Sequence, residues 1–253
     1  NGQVIQALGQ DGTAVFPAHD AFAPLWRQLA GRRAVLTFSS HAPADVTVQA
    51  QWQAAEGAWA LALATPAGQV RARLRLPGRH NLHNAGAAAA GALAAGAPLA
   101  AVAQGLADFE PVAGRSQLHA LQRNGQPLTL VDDSYNANPD SMLAAVQVLA
   151  ALPGPRWLVL GDMGEVGSQG PQFHAEVGQA ARAAGIEHVW STGPLCAHLG
   201  VGRHFQDMTS LLAALPEAPP AAAVLVKGSR FMKMEQVVQA LRGGNRTGGA
   251  HAA

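Results

Sequence analysis

The spacing of apolar and polar positions changes part-way along the chain. In the first part, short apolar or alternating runs are separated by turn residues, such as Glu56-Gly57 and Pro66-Ala67-Gly68, which predicts strands in a meander. Two alanine-rich segments follow and predict helices. The predicted strands cover 34–38, 45–52, 59–64 and 69–76, and the predicted helices cover 81–95 and 99–109.

After a linker at 110–114, predicted strands alternate with predicted helices. This alternation is typical of a doubly wound α/β unit with a mostly parallel sheet. The sequence therefore predicts domains over 1–112 and 113–243, and a disordered tail over 244–253. Strands are predicted at 117–121, 128–131, 157–160, 188–191 and 223–226, and helices at 141–152, 171–184, 209–215 and 232–242.

The most informative segment runs from Val131 to Met142. An apolar strand stops at Asp132-Asp133, and a helix is predicted to begin at Asn138-Pro139, because Asn is a preferred N-cap and Pro suits the first helical position. Polar groups therefore collect at the carboxyl end of a strand beside a helix N-terminus, where open α/β folds bind ligands. The apolar stripe of this helix comprises Met142, Ala145, Val146, Leu149 and Leu152.

Three predicted strands of the second domain end in polar loops, at 132–134, 161–165 and 227–230. Since parallel strands bring their carboxyl ends to one edge of a sheet, we expect these loops to face one crevice. Carboxylates together with Lys227 and Arg230 suit a charged, zwitterionic ligand. Termination of a strand explains any one loop equally well, but three such loops together favour a binding site.

Two weaker signals lie outside these loops. Asn81 and Asn84 are three residues apart at the start of a helix and share a face, so their amides could bind a base edge, although Asn81 could instead be an N-cap. Arg115 follows the linker, and its guanidinium suits a phosphate, although an isolated Arg is more often solvated.

Composition excludes several classes of protein. Lys+Arg 17 against Asp+Glu 16 gives a net charge of +1, without the basic cluster of a nucleic-acid-binding protein. The single cysteine, Cys196, excludes an internal disulfide, suits a reducing cytoplasm and is predicted to lie in the core. The uncharged segment 86–107 is interrupted by Pro98 and is mostly Ala and Gly, which predicts two packed helices and no membrane span. The histidines show no metal-ligand spacing.

These motifs together resemble the Mur ligases of bacterial cell-wall synthesis, and in particular the members that add D-alanyl-D-alanine. Their order and spacing fit nearly the whole chain except the tail. The resemblance is carried by Leu-Pro-Gly-Arg-His-Asn-Leu-His-Asn at 76–84, Gly114-Arg115, the block from Asp132 to Met142, Gly-Asp-Met-Gly-Glu at 161–165, and Lys-Gly-Ser-Arg at 227–230 with Met234-Glu235.

The resemblance implies a protein of three domains: an N-terminal domain for a uridine nucleotide, a central ATPase domain and a C-terminal Rossmann-like domain for the amino substrate. The chain then comprises the remainder of the central ATPase domain, followed by the doubly wound C-terminal domain. The phosphate loop and its lysine are expected upstream of Asn1, because the chain has no G-x-x-x-x-G-K-[ST] motif and no lysine before Lys227. The chain alone is therefore expected to be inactive.

The same resemblance implies roles for individual residues. Asn81 and Asn84 would lie near the adenine of ATP, Arg115 at the phosphates and Asp133 at the ribose, and Arg115 and Asp133 would also serve catalysis. Mg²⁺ is implied as a cofactor, with most of its ligands expected upstream and no metal ligand assigned in this chain. The residues implied to border the peptide and D-Ala-D-Ala are Asn136, Asn138, Asp162, Lys227, Ser229 and Arg230.

The implied reaction joins D-Ala-D-Ala to UDP-MurNAc-tripeptide through an acyl phosphate made from ATP, in a monomeric cytoplasmic enzyme. One alternative is a non-catalytic module that binds a nucleotide or a peptide without turnover. A second is an unrelated Rossmann-type enzyme that uses a dinucleotide, against which the missing G-x-G-x-x-G motif argues.

Overall fold

The structure, a computed structural model, describes residues 2–53 and 56–243. Its contacts divide the chain into two compact units, Asn1–Glu110 and Pro111–Ala253. The tail predicted over 244–253 lies outside the described residues.

The first unit contains a five-stranded sheet in the order β1-β2-β3-β4-β5. All four strands predicted from the sequence are present, but β1 and the first two helices were not predicted. The strands are Thr13–Pro17 (β1), Ala34–Ser39 (β2), Val46–Gln53 (β3), Ala58–Thr65 (β4) and Gly68–Leu74 (β5), and the helices are Gln3–Gln6 (α1), Ala23–Ala30 (α2), His80–Ala94 (α3) and Leu99–Ala107 (α4).

The predicted meander is correct for β3, β4 and β5, which pair antiparallel, and wrong for β2. β2 pairs parallel with β3, through only two residue pairs, Phe38↔Val46 and Ser39↔Thr47. β3 begins beside the end of β2 and runs on in the same direction, and this junction is held by the Asp45 carboxylate, which accepts hydrogen bonds from the backbone N–H and the hydroxyl of Thr37. Hydrophobic alternation predicts that a strand exists, but not the direction of its neighbour.

The second unit contains a six-stranded sheet in the order β10-β9-β8-β11-β7-β6. All its pairs are parallel except β6 with β7, which confirms the predicted doubly wound α/β fold. The three-residue β10 was not predicted. The strands are Gln117–Arg123 (β6), Gln126–Asp133 (β7), Arg156–Gly161 (β8), His188–Thr192 (β9), Arg203–Phe205 (β10) and Ala223–Lys227 (β11), and the helices are Pro139–Ala150 (α5), Gly170–Ala183 (α6), Met208–Ala213 (α7) and Glu235–Gly243 (α8).

β11, one of the two central strands of this sheet, is apolar from Ala223 to Val226 because helices cover both of its faces. Leu225 packs in the apolar cluster that includes α5 and α6, whereas Val224 and Val226 pack in the cluster that includes α7 and α8. Each fully buried side chain of this size contributes roughly 1.5–3 kcal/mol to folding. The strand ends are thus held by a core on both sides of the sheet.

The predicted start of α5 is confirmed, and so is its apolar stripe except at Leu152. Asn138 is the N-cap, and its side chain and that of Ser141 form a reciprocal capping box. Met142 and Leu149 are fully buried, whereas Leu152 lies beyond the end of the helix and is only partly buried. The strand–loop–helix geometry around Asp133 is therefore fixed from the helix side as well as from the sheet.

The uncharged segment forms α3 and α4, as predicted, with a turn at Gly96 between them. Across residues 2–53 and 56–243, no helix combines the length and the apolarity needed to cross a membrane.

Candidate functional site at the strand ends of the second unit

The loops that follow β7, β8 and β11 meet at one edge of the second sheet, which confirms the prediction made from their polar residues. β11 lies between the other two strands, with Lys227 opposite Asp133 on one side and Leu160 on the other. We call this edge the strand-end rim and define it by residues 132–138, 161–165 and 227–230. Its loops are joined to one another by side-chain hydrogen bonds.

An ion pair between Lys227 and Asp133 links β11 to β7. The Lys227 Nζ lies 2.6 Å from the Asp133 Oδ2 and donates a second hydrogen bond, of 2.8 Å, to the backbone carbonyl of Asn136. The lysine residue is 3% exposed, and the Asp133 side chain is 19% exposed. Because the ammonium is buried and engaged, it is not available to an incoming carboxylate in this arrangement.

Ser229 joins all three loops. Its hydroxyl accepts a hydrogen bond of 2.6 Å from the backbone N–H of Gly164 and donates one of 3.2 Å to the carbonyl of Ala137. Its backbone N–H donates to the carbonyl of Asp162, 2.9 Å away. Ser229 is therefore a buried cross-link of the rim.

The segment after the linker packs onto the loop after β7. Ser116 donates from its backbone N–H and its hydroxyl to the Asp133 Oδ1, at 3.0 and 3.2 Å. The Tyr135 N–H donates to the carbonyl of Gly114, whose φ is +77°. A Cβ on Gly114 would lie 3.0 Å from the Tyr135 nitrogen, so the close approach requires glycine here. Ser116, at φ +52°, adopts a left-handed conformation that is uncommon outside glycine.

Two cationic side chains flank one exposed ring beside this packing. The guanidinium carbons of Arg115 and Arg230 lie 4.4 and 5.6 Å from the centroid of the Tyr135 ring. The Arg230 side chain is 68% exposed, and its closest Glu235 oxygen is 3.8 Å away. Both guanidinium groups thus retain donors for an anionic ligand. Tyr135 and Ser116 were not predicted as site residues, although both lie in or next to the quoted motifs.

Asp162 occupies a different environment from the other acidic residues of the rim. Its carboxylate accepts hydrogen bonds from the backbone N–H groups of Leu195 and Cys196, at 3.1 and 2.7 Å, and the residue is 2% exposed. Gly193 packs so closely that a Cβ there would lie 2.5 Å from the carboxylate carbon. Asp162 therefore fixes the loop after β9, and its predicted contact with substrate stays a prediction.

Asp162 also belongs to a buried group with His174 and Cys196, the one cluster of three potential metal ligands among the described residues. Its ligand atoms are engaged, because the His174 Nδ1 donates to the Gly170 carbonyl and its Nε2 accepts from the Met163 N–H. Burial and the Asp162 carboxylate raise the pKa of the Cys196 thiol well above its usual value. A buried thiol and imidazole do not suit Mg²⁺, which prefers oxygen ligands. The prediction of Cys196 as a core residue is confirmed.

Asn136 and Asn138 are exposed at the same rim. The Asn138 Oδ1 caps α5 through the Ser141 N–H, at 2.8 Å, whereas Asn136 contributes its backbone carbonyl to Lys227. The structure thus gives both asparagines a structural contact, and their predicted contacts with substrate stay predictions.

In the first unit, Asn81 and Asn84 form a local pair of amides at the start of α3. Asn81 is buried and donates from its Nδ2 to the Pro77 carbonyl, 2.8 Å away, while its Oδ1 accepts from the Asn84 Nδ2 at 3.1 Å. The alternative that Asn81 is an N-cap is wrong, because the helix begins at His80 and its N-cap is Arg79. Asn84 is exposed, so its amide is the one of the pair that can reach a ligand.

Two family models match the chain. The Mur ligase middle domain matches residues 2–92, and the Mur ligase, glutamate ligase domain matches residues 114–230. The chain belongs to the Mur ligase family. The Mur ligase resemblance drawn from the motifs is thereby confirmed, and the motif loops of the strand-end rim lie within the second match.

Named relatives of this Mur ligase chain are D-alanyl-D-alanine-adding ligases. The chain is 42% identical over 248 residues to the UDP-N-acetylmuramoyl-tripeptide--D-alanyl-D-alanine ligase of Escherichia coli (strain K12), across 95% of this chain and 54% of that protein. The ligase of the same name from Haemophilus influenzae is 33% identical, across 95% and 53%. The chain thus spans about half the length of the curated relatives it matches.

Solved structures of the family share the fold. A crystal structure of MurF from Acinetobacter baumannii matches with a TM-score of 0.84 and 30% identity, over 96% of this chain and 54% of that one. MurF ligase from Thermotoga maritima in complex with ADP matches with a TM-score of 0.79 at 22% identity, over 96% and 56%, which supports the fold alone.

Proposed function

We propose that this Mur ligase chain is part of an ATP-dependent ligase that joins D-alanyl-D-alanine to UDP-N-acetylmuramoyl-tripeptide. The observation that carries the proposal is the 42% identity, over nearly the whole chain, to a ligase of that name. The strand-end rim supports it, because two exposed guanidinium groups and a carboxylate at the ends of parallel strands suit charged substrates.

The proposed reaction has two steps. The terminal carboxylate of the tripeptide attacks the γ-phosphoryl group of ATP and releases ADP, which leaves an acyl phosphate. The amine of D-Ala-D-Ala then attacks the acyl carbon, the C–O bond to phosphate breaks, and the amine loses a proton as the amide forms. Phosphorylation supplies the leaving group that a carboxylate lacks, so catalysis depends on positioning and on stabilising charge at the phosphoryl oxygens.

Individual residues have proposed parts in this reaction. Arg115, exposed beside Tyr135, places its charge at the phosphates, and Asp133 accepts a hydrogen bond from a ribose hydroxyl. Asn84 presents its amide to the base, and the Asn81 Oδ1 orients that amide by accepting a hydrogen bond from it. Arg230 is proposed to bind a substrate carboxylate. The described residues offer no cluster suited to Mg²⁺, so no step here is assigned to the metal. We also propose that the protein is cytoplasmic and that it is a monomer, and gel filtration would check the second point.

The test uses the longest polypeptide that the gene encodes. Phosphate release from ATP should require both the tripeptide nucleotide and D-Ala-D-Ala, and the 253-residue chain alone should release none. Asp133→Ala should weaken ATP use much more than it lowers the melting temperature, whereas Asp207→Ala, an exposed helix cap, should leave ATP use unchanged. Unaltered ATP kinetics with lost stability would show that Asp133 is structural.

Calorimetric titration of the 253-residue chain with ADP and with D-Ala-D-Ala separates the proposal from a non-catalytic binding module. Tight binding of either ligand to a protein whose longest form shows no turnover would support the module and contradict the ligase.

A further inference from the structure

We propose that Lys227 is a positioning residue that holds Asp133 and the loop after β7 in place, and that it does not contact the amino substrate. The inference rests on the proposed ligase function and changes the role that the motif resemblance gave to Lys227. It is carried by the burial of the ammonium and by its two partners, which belong to the protein itself.

The sheet register places these groups together without any ligand. Lys227 and Asp133 are directly opposite each other on adjacent parallel strands, so their side chains project to the same face. The ammonium then reaches past the end of β7 to the carbonyl of Asn136. One lysine thus sets both the orientation of the carboxylate and the path of the backbone that follows it.

The other contacts of Asp133 complete its orientation. Its Oδ1 accepts two hydrogen bonds from Ser116, and its Oδ2 accepts from Lys227. A carboxylate held from both oxygens has one orientation, which is what the recognition of a sugar hydroxyl requires. Removing Lys227 would leave Asp133 oriented by Ser116 alone and would release the carbonyl of Asn136.

The two possible roles of Lys227 predict that its removal weakens the binding of different ligands. A lysine that binds the D-Ala-D-Ala carboxylate would, when removed, weaken D-Ala-D-Ala binding and leave ATP binding nearly unchanged. Removal of a lysine that acts through Asp133 would weaken ATP binding by up to about 100-fold, the loss that a misplacement of about 1 Å can cause, with little change for D-Ala-D-Ala.

The experiment is a double-mutant cycle of Lys227→Met with Asp133→Asn in the longest encoded polypeptide, with dissociation constants for ATP and for D-Ala-D-Ala measured by calorimetry. In the Asp133→Asn background, Lys227→Met should weaken ATP binding by no more than about twofold, because the group through which it acts is already neutral. A loss of ATP affinity as large in this background as in the wild type would overturn the proposal. So would a loss confined to D-Ala-D-Ala.

Matched variants guard against a folding artefact. Lys233→Met removes the chain's other lysine, which is exposed, and should change neither constant. Lys227→Gln retains a donor for the Asn136 carbonyl, so it should fold where Lys227→Met does not and should show the same selectivity for ATP.

Hydrogen exchange in the 253-residue chain tests the positioning without any substrate. Lys227→Met should speed exchange of the Tyr135 amide, which donates to the Gly114 carbonyl, and should leave α3 unchanged. Unchanged exchange at Tyr135 would contradict the inference even if the ligase activity is found. Faster exchange in a protein without ligase activity would contradict only the proposed function.

Discussion

The two units hold their buried polar side chains in different ways. In the first, Asn81 bonds to residues four positions before it and three positions after it, so the motif is complete within the segment 77–84. In the second, Lys227 and Ser229 bond to groups more than 90 residues earlier in the chain. A local motif keeps its geometry wherever its helix forms, whereas the strand-end rim has its geometry only when the parallel sheet is assembled.

The largest expected effect is that of Asp162→Ala, which breaks a long-range contact. The substitution removes two charge-assisted hydrogen bonds to buried backbone N–H groups, so we expect a loss of roughly 3 kcal/mol in the free energy of unfolding, measured by urea denaturation. Asp207→Ala, which removes an exposed cap in the same unit, should lower the free energy of unfolding much less. Equal losses for the two variants would show that burial at residue 162 adds nothing.

Asn81→Ala tests the local pair of the first unit and should have an intermediate effect. It leaves the Pro77 carbonyl and the Asn84 amide without their protein partner, at a cost of about 1–2 kcal/mol. Hydrogen exchange should show the change at the start of α3 and not at the loop after β7. Asn84→Ala, which keeps the Asn81–Pro77 bond, should cost less. A larger loss of stability for Asn84→Ala than for Asn81→Ala would contradict the view that the Asn81–Pro77 bond is the stronger of the two contacts.

Asn138→Ala tests a local element inside the second unit. Loss of the capping box should cost about 1 kcal/mol, with faster exchange confined to the first turn of α5. Ser141→Ala, the reciprocal member of the box, provides the comparison. Loosening of the loops after β8 and β11 in either variant would mean that the cap supports the whole rim.

The smallest effect should come from Thr37→Val in the first unit. The hydrogen bonds from the Thr37 hydroxyl and N–H hold the pKa of the Asp45 carboxyl below its ordinary value. These bonds therefore stabilise the fold at pH values above the unfolded-state pKa of Asp45, and this stability is lost as the pH falls through its folded-state pKa. Thr37→Val should raise the Asp45 pKa, measured by NMR titration. The stability difference from wild type should be greatest near neutral pH and disappear in acid. A stability difference that persists in acid would show that Thr37→Val acts through packing and not through the Asp45 carboxylate.

The success of the sequence predictions follows the same division. The second unit was predicted well because strands buried on both faces form continuous apolar runs, and Asn138-Pro139 determines where α5 begins. β1 was missed because five residues ending in Pro17 give too short a pattern. The antiparallel prediction for β2 failed because alternation does not encode strand direction.

By itself, the sequence determined the family, the α/β class and the residues that would gather at one sheet edge, since apolar periodicity and motif order are properties of the chain. Only the tertiary structure decided which polar groups are exposed at the sheet edge and which bond to one another. Lys227 is 94 residues from Asp133, and no local pattern reveals that parallel strands place them opposite each other. Lys227 was expected to border the substrates, and the structure places its ammonium among the protein's own acceptors, which stabilise a buried charge.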